Sequence, residues 1–212
     1  MFLSFLISHY VLSCSTIFKP NVVKRFFIFV IFLFIIISSS IGQEPYSYYS
    51  SAYHDKDYFI DVSYNKDKSY NLHIEVQSLD DKNYAVGIKI NEKAISQVVS
   101  NLKEAKELYK ILKSNAQKNN VSSLAQKMNV DAKVVVGYFK QRGKAYLDYS
   151  IKPKYSFVVE RRRSRTEYLL RITTGRMISS VFEYIQCPSA EIVFSNEAEI
   201  DQFIEAISSP SF

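Results

Sequence analysis

Four guanidinium groups fall within five residues at Arg161, Arg162, Arg163 and Arg165. Arginine forks bind carboxylate or phosphate through paired N–H donors, so the cluster is a candidate anion site. In an exported protein its partner would be an anionic envelope component, either a lipid head group or an acidic polysaccharide. Glu160 and Glu167 flank the cluster. The same residues also describe a solvated hairpin tip whose charge protects a sheet from edge pairing.

The other chemistry-bearing residues are scattered. Cys187 would need a neighbouring base and a lowered pKa to act as a nucleophile. The imidazoles available to it are His54 and His73, and neither sits in a motif. A buried, unreactive thiol beside Pro188 is the plainer expectation. His54-Asp55-Lys56-Asp57 holds metal-ligand residue types, but a lysine stands among them and no second His/Cys group follows. The carboxylates of Asp80-Asp81 and Asp148 show no pairing. The chain has no phosphate-cradling glycine loop, no G-x-S-x-G and no H-E-x-x-H. The sequence therefore assigns no catalytic residue, metal or cofactor. Asn120-Val121-Ser122 has the form of an N-glycosylation sequon, relevant only in a eukaryotic source.

The N-terminal region gives the chain an address. Lys24-Arg25 precede a twelve-residue apolar run, Phe26 to Ile37, and Ser38-Ser39-Ser40-Ile41-Gly42 follows. A positive end, a greasy middle and small residues at −3 and −1 describe a secretory signal. Cleavage after Gly42 would leave Gln43 as the new N-terminus, in the periplasm or secreted. The run would make a helix of about 18 Å, short of a bilayer core of about 30 Å. A retained anchor over residues 26–41 is the alternative. Residues 1–23 form a second, more polar stretch without an n-region cation, consistent with a translation start assigned too far upstream.

Removing the leader changes the composition. The chain has 27 Lys+Arg and 21 Asp+Glu, and three of the cations (Lys19, Lys24, Arg25) but none of the acids precede Gln43. The remainder carries 24 cations against 21 acids, a net +3. That mild excess argues against nucleic acid, which requires a basic face. Cys14 leaves with the leader, so Cys187 has no internal disulfide partner.

The elements that must position these residues follow from periodicity. Residues 43–57 are rich in Ser and Tyr and read as an extended tether. Strands are expected over 58–64, 70–77 and 84–90, joined by polar turns into a meander. In the second, Leu72, Ile74 and Val76 alternate with Asn71, His73, Glu75 and Gln77. From Asn91 to Lys118 the period changes. Ile95, Val98, Val99, Leu102, Ala105, Leu108, Tyr109 and Leu112 recur at three- and four-residue steps, as in an amphipathic helix with Asn91 as N-cap. Val121 to Met128 suggests a short second helix.

Strands then resume over 133–140 and 144–152, the latter with Ala145, Leu147, Tyr149 and Ile151 on one face. Residues 154–160 and 166–173 read as a hairpin around the arginine cluster. Strands over 176–185 and 190–194 follow. Asn196 and Glu199 resemble a capping box, opening a C-terminal helix with Ile200, Phe203, Ile204 and Ile207 on one face.

Three segments carry a family resemblance: Leu102 to Tyr109, the Ala116 to Val121 helix exit, and Val193 to Ile200. There the chain resembles secreted, uncharacterised domain proteins of Bacteroidetes-type bacteria, and the likeness covers most of the part after the leader. It implies strands, one long helix, more strands and a short acidic-capped helix. Tyr109 stands where such proteins often have Trp. The resemblance implies no catalytic residue.

The expected architecture is α+β: one domain over 58–208, with a short tail over 209–212. A strongly curved antiparallel sheet of eight to nine strands packs on one long helix, with a short C-terminal helix. The expected role is that of an exported, non-enzymatic binding or envelope-accessory domain. The alternatives are a periplasmic carrier holding a lipid or lipoprotein between helix and sheet, and a hydrolase with an unrecognised site.

Overall fold

The computed structural model describes residues 47–79, 85–141, 143–162, 164–187 and 189–208. The leader, Asp80-Asp81, Arg163, Pro188 and the 209–212 tail lie outside these residues. Those described belong to one compact unit, Pro45–Phe212. Among them no helix is long and apolar enough to cross a membrane.

The chain is α+β, mostly antiparallel sheet with one long and one short helix. Its strands are β1 (Ser47–Ser51), β2 (Lys56–Tyr64), β3 (Tyr70–Ser78), β4 (Ala85–Asn91), β5 (Leu124–Lys127), β6 (Val135–Gln141), β7 (Lys144–Ile151), β8 (Lys154–Arg162), β9 (Arg165–Thr173), β10 (Met177–Ile178), β11 (Gln186–Cys187) and β12 (Ala190–Phe194). The helices are α1 (Glu92–Lys118) and α2 (Glu197–Ser208). Ten strands form one sheet in the order β5-β8-β9-β12-β3-β4-β6-β7, with the β1–β2 pair attached to β3; β10 and β11 pair separately. The meander is present as β2–β3–β4.

The sheet forks at β3. Its first half pairs with β2, Ile60 opposite Ile74, whereas Gln77 and Ser78 pair with Glu191 and Ala190 of β12. Residues 56–59 of β2 therefore leave β3 and pair with β1. The expected tether is in part a strand: Tyr49 is 1 % exposed, and its hydroxyl donates to the Glu75 carbonyl at 3.0 Å. Tyr49 stacks on Tyr58 at 5.0 Å and meets the edge of Phe203 at 4.8 Å. Burying an aromatic side chain contributes about 1.5–3 kcal/mol, enough to order a segment whose composition alone reads as extended.

Helix α1 starts where its side chains allow. Asn91 Oδ1 accepts from the Ala94 N–H at 3.0 Å. At the other end Asn120 takes the left-handed conformation, φ 52°. The Val121 N–H bonds the Ala116 carbonyl and the Asn120 N–H bonds the Gln117 carbonyl, which is a Schellman stop. Ile95, Leu102, Ala105 and Tyr109 bury the apolar stripe. The Tyr109 hydroxyl lies 2.9 Å from the carbonyls of both Tyr168 and Ser195, tying the helix to β9 and to the turn before α2. Asn196 Oδ1 caps the Glu199 N–H at 3.0 Å, while Glu199 reaches back to the Ser195 N–H at 2.9 Å.

Two further expectations are corrected. Residues 124–127 form β5 and not a second helix; they pair with Ser156 to Val159 of β8. So short a segment does not repay helix nucleation, whereas the open edge of β8 offers a ready ladder. Residues 176–185 are not one strand: only Met177–Ile178 is extended, and a loop follows before β11.

The outward parity of β7 also differs. The register slips between Val135 opposite Ile151 and Gly137 opposite Asp148. The ladder is unbroken from Lys144 to Asp148, so Tyr146 and Asp148, the latter 7 % exposed, face inward beside Phe139 and Gly137 while Tyr149, 61 % exposed, faces out; the bulge after Asp148 then returns Ile151 to the inward face. Asp148 Oδ1 holds the Ser150 N–H and hydroxyl at 2.9 and 2.6 Å, and Oδ2 holds the Ile178 N–H at 2.9 Å. Burial pushes this carboxyl up, but the three donors outweigh burial and hold it below the ordinary range.

Candidate functional site

The arginine cluster does sit at a hairpin tip, with Arg162 opposite Arg165 and Arg161 opposite Thr166. Strand alternation sends Arg161 to the face opposite Arg162 and Arg165, so these three side chains do not share one face. Arg162 is already engaged. Its guanidinium donates to the Tyr53 carbonyl and lies over the Tyr53 ring, 4.7 Å from the centroid. Arg161 and Arg165 are exposed.

Tyr53 belongs to the β1–β2 turn, which folds across the face of β8, β9 and β12 away from α1. There Tyr53 packs on a second small core of Val158, Leu169 and Val193. Its hydroxyl donates to Glu160 Oε1 at 2.8 Å. Next to it lies a row of polar side chains. His54 Nε2 faces Glu191 Oε1 at 3.2 Å, and Nδ1 faces the Tyr58 hydroxyl at 3.0 Å. Arg171 Nε approaches Glu191 Oε2 at 3.0 Å, an ion pair off the hydrogen-bond direction. Arg171 also reaches Glu160 at 3.4 Å. Burial pushes the Tyr58 phenol well above its ordinary range.

This row gathers His, Glu, Tyr and Arg, the residue types of acid–base chemistry. It is nevertheless closed. Glu191 is 5 % exposed, and both ring nitrogens of His54 are occupied. Ser51, the nearby hydroxyl, donates to the Val193 carbonyl at 3.1 Å and is itself buried. The arrangement fastens the β1–β2 turn over the fork of the sheet. His54, expected in a tether, is thus part of the clasp. His73 on β3 bonds Ser63 Oγ at 2.8 Å, and burial, with Lys89 adding to it, holds its imidazole below the ordinary range.

Cys187 is 1 % exposed in β11, opposite Met177. Among the described residues no three His, Cys, Asp or Glu side chains gather as metal ligands. The space between α1 and the sheet, lined by Ile88, Leu102, Tyr155 and Phe203 among others, measures about 30 Å³. It has room for about one water and none for an acyl chain.

The two most accessible large apolar side chains among the described residues, Tyr184 and Val181, lie elsewhere. Ile178, Val181, Phe182 and Tyr184 are 40, 74, 44 and 80 % exposed, and Tyr149 stands near them on the β7 bulge. The loop carrying them is built from within. The Ser179 N–H bonds the Ile185 carbonyl at 2.9 Å, and the Ile185 N–H bonds the Phe182 carbonyl at 2.8 Å. Buried Ser179 Oγ accepts from the Val181 and Phe182 N–H groups at 3.3 and 3.1 Å. Two bonds fasten the loop to β7, from Ser180 N–H to the Leu147 carbonyl and from Ile178 N–H to Asp148. Met177, fully buried, plugs its base against Gly137, where an added Cβ would lie 2.7 Å from the sulfur.

Between β7 and this loop is an open cleft of about 630 Å³, lined by Tyr149, Lys152, Lys154, Arg176, Ile178 and Glu183 among others. This site is hidden in the sequence because β-rich residues over 176–185 imitate a strand. The usable signals were Ser179-Ser180 and Cys187-Pro188, which bracket an aromatic run with too few residues for a paired strand and its turns. No protein-family model, curated protein or solved structure matches this chain.

Proposed function

We propose that this chain is an exported, non-enzymatic binding domain whose contact surface is the Ile178–Tyr184 loop and the cleft beside it. The observation that carries this reading is an apolar loop tip held rigid by its own hydrogen bonds while its side chains stand in water. A pre-organised aromatic surface costs little ordering on association, which is what a binding loop requires. Each acid–base group of the clasp is already committed to a partner, which favours binding over hydrolysis. The filled space between α1 and the sheet favours a surface contact over a carrier. Arg161 and Arg165, at the hairpin tip, are a second candidate anion contact. We further take the sheet to be strongly curved: β7 ends its strand order, β8 lies near the opposite end, and only Lys152-Pro153 joins them. The three Cα–Cα steps from Ile151 to Lys154 span at most about 11 Å.

The test uses purified protein and isolated bacterial envelopes. Wild type should be retained, and Val181→Asp/Tyr184→Asp should be lost to the supernatant with an unchanged circular dichroism spectrum. Equal retention of the variant would overturn the loop assignment.

A further inference from the structure

We infer that the loop docks on an anionic lipid bilayer, its tip entering the head-group region while cleft cations take the phosphates; this rests on the binding reading above. Val181, Phe182 and Tyr184 do not line the cleft but protrude beside it. Protruding apolar groups suit an interfacial layer better than a small ligand, which requires apolar walls around it. Tyrosine has the matching character, an apolar ring with a hydroxyl that stays hydrated at head-group depth.

The charge around the tip has the complementary sign. Lys152, Lys154 and Arg176 line the cleft. Of the two acids there, Asp148 is filled by donors from Ser150 and Ile178, which leaves Glu183 as the open carboxylate. Lys152 pairs with Asp131 at 3.1 Å, but both side chains are largely exposed, and such a pair yields readily to a phosphate. The cations and the apolar tip are fixed in one frame, because Asp148 and Leu147 of β7 hold the loop at Ile178 and Ser180.

Co-sedimentation with phosphatidylcholine vesicles, with and without phosphatidylglycerol, tests this directly. Binding should require phosphatidylglycerol and weaken with salt. Each cation near an anionic surface contributes about fivefold, so Lys152→Gln/Lys154→Gln/Arg176→Gln should weaken binding roughly a hundredfold. Val181→Ser/Tyr184→Ser, which keeps every charge, should weaken it at least about tenfold. Equal binding to both vesicle types, or binding that survives the loop change, overturns the lipid assignment. Retention on lipid-free peptidoglycan sacculi with no vesicle binding overturns it too, yet leaves the binding reading standing. Absence of retention on envelopes, sacculi and vesicles alike overturns both.

Discussion

Replacing Glu191 by Gln asks whether one buried carboxylate holds the outer clasp together. Glu191 faces Arg171 Nε at 3.0 Å and His54 Nε2 at 3.2 Å while itself only 5 % exposed. Removing one partner of a buried pair costs about 3–5 kcal/mol, because the surviving charge stays dehydrated. Two features lower that figure here. Arg171 is 25 % exposed and keeps Glu160 at 3.4 Å, and glutamine retains an oxygen for one donor. The expected loss is about 2 kcal/mol. At about 2–4 °C per kcal/mol for a domain of this size, Tm falls about 4–8 °C. The chain has no Trp, so urea unfolding is followed by circular dichroism and tyrosine fluorescence. Arg171→Met and the double variant complete a cycle, with an expected coupling of about 1–2 kcal/mol. A loss below about 0.5 kcal/mol for Glu191→Gln, or strictly additive variants, would refute the clasp as a source of stability.

Three further outcomes follow from the packing. Gly87→Ala places a Cβ 2.0 Å from the Tyr138 ring, so the ring must leave; a loss of about 1–3 kcal/mol is expected, relieved when Tyr138 is truncated as well. Burial holds the folded imidazole of His73 below its unfolded value, so the unfolded chain binds more protons and stability falls as pH drops from about 7 to 5. His73→Gln should flatten that part of a stability–pH curve, and an unchanged slope would contradict it. Tyr109→Phe removes the hydroxyl between the Tyr168 and Ser195 carbonyls and should cost about 1–2 kcal/mol in urea unfolding while leaving the helix content intact.

The parts of this protein written in local periodicity are the parts visible in its sequence. The stripe from Ile95 to Leu112, the Asn91 cap and the Asn196–Glu199 cap each depend on residues within one or two turns. The alternation of Leu72, Ile74 and Val76 likewise needs only the pleat, and the arginine hairpin needs only its flanking strands. The elements that resisted reading depend on partners far along the chain. Tyr49 is ordered by Phe203, His54 by Glu191, and Tyr53 by Arg162 and a second small core. Nothing within residues 43–57 encodes those contacts.

A bulge shows the same limit from the other side. One extra residue in β7 switches the parity after Asp148, so that Tyr146 and Asp148 face inward before it and Ile151 after it, and a two-residue period read along the chain cannot detect the slip. The loop at Ile178–Tyr184 is the functional counterpart. Its composition suits a strand, but only Met177–Ile178 pairs, with β11, and the donors of Ile178 and Ser180 go to single acceptors on β7. By itself the sequence determined the long helix, the meander, the hairpin and the modest net charge, because each follows from neighbours or from composition. Tertiary structure alone decided that Arg162 is held by Tyr53, that His54 is held by Glu191 and that the aromatic loop faces water, because those outcomes rest on contacts between residues as many as 137 positions apart.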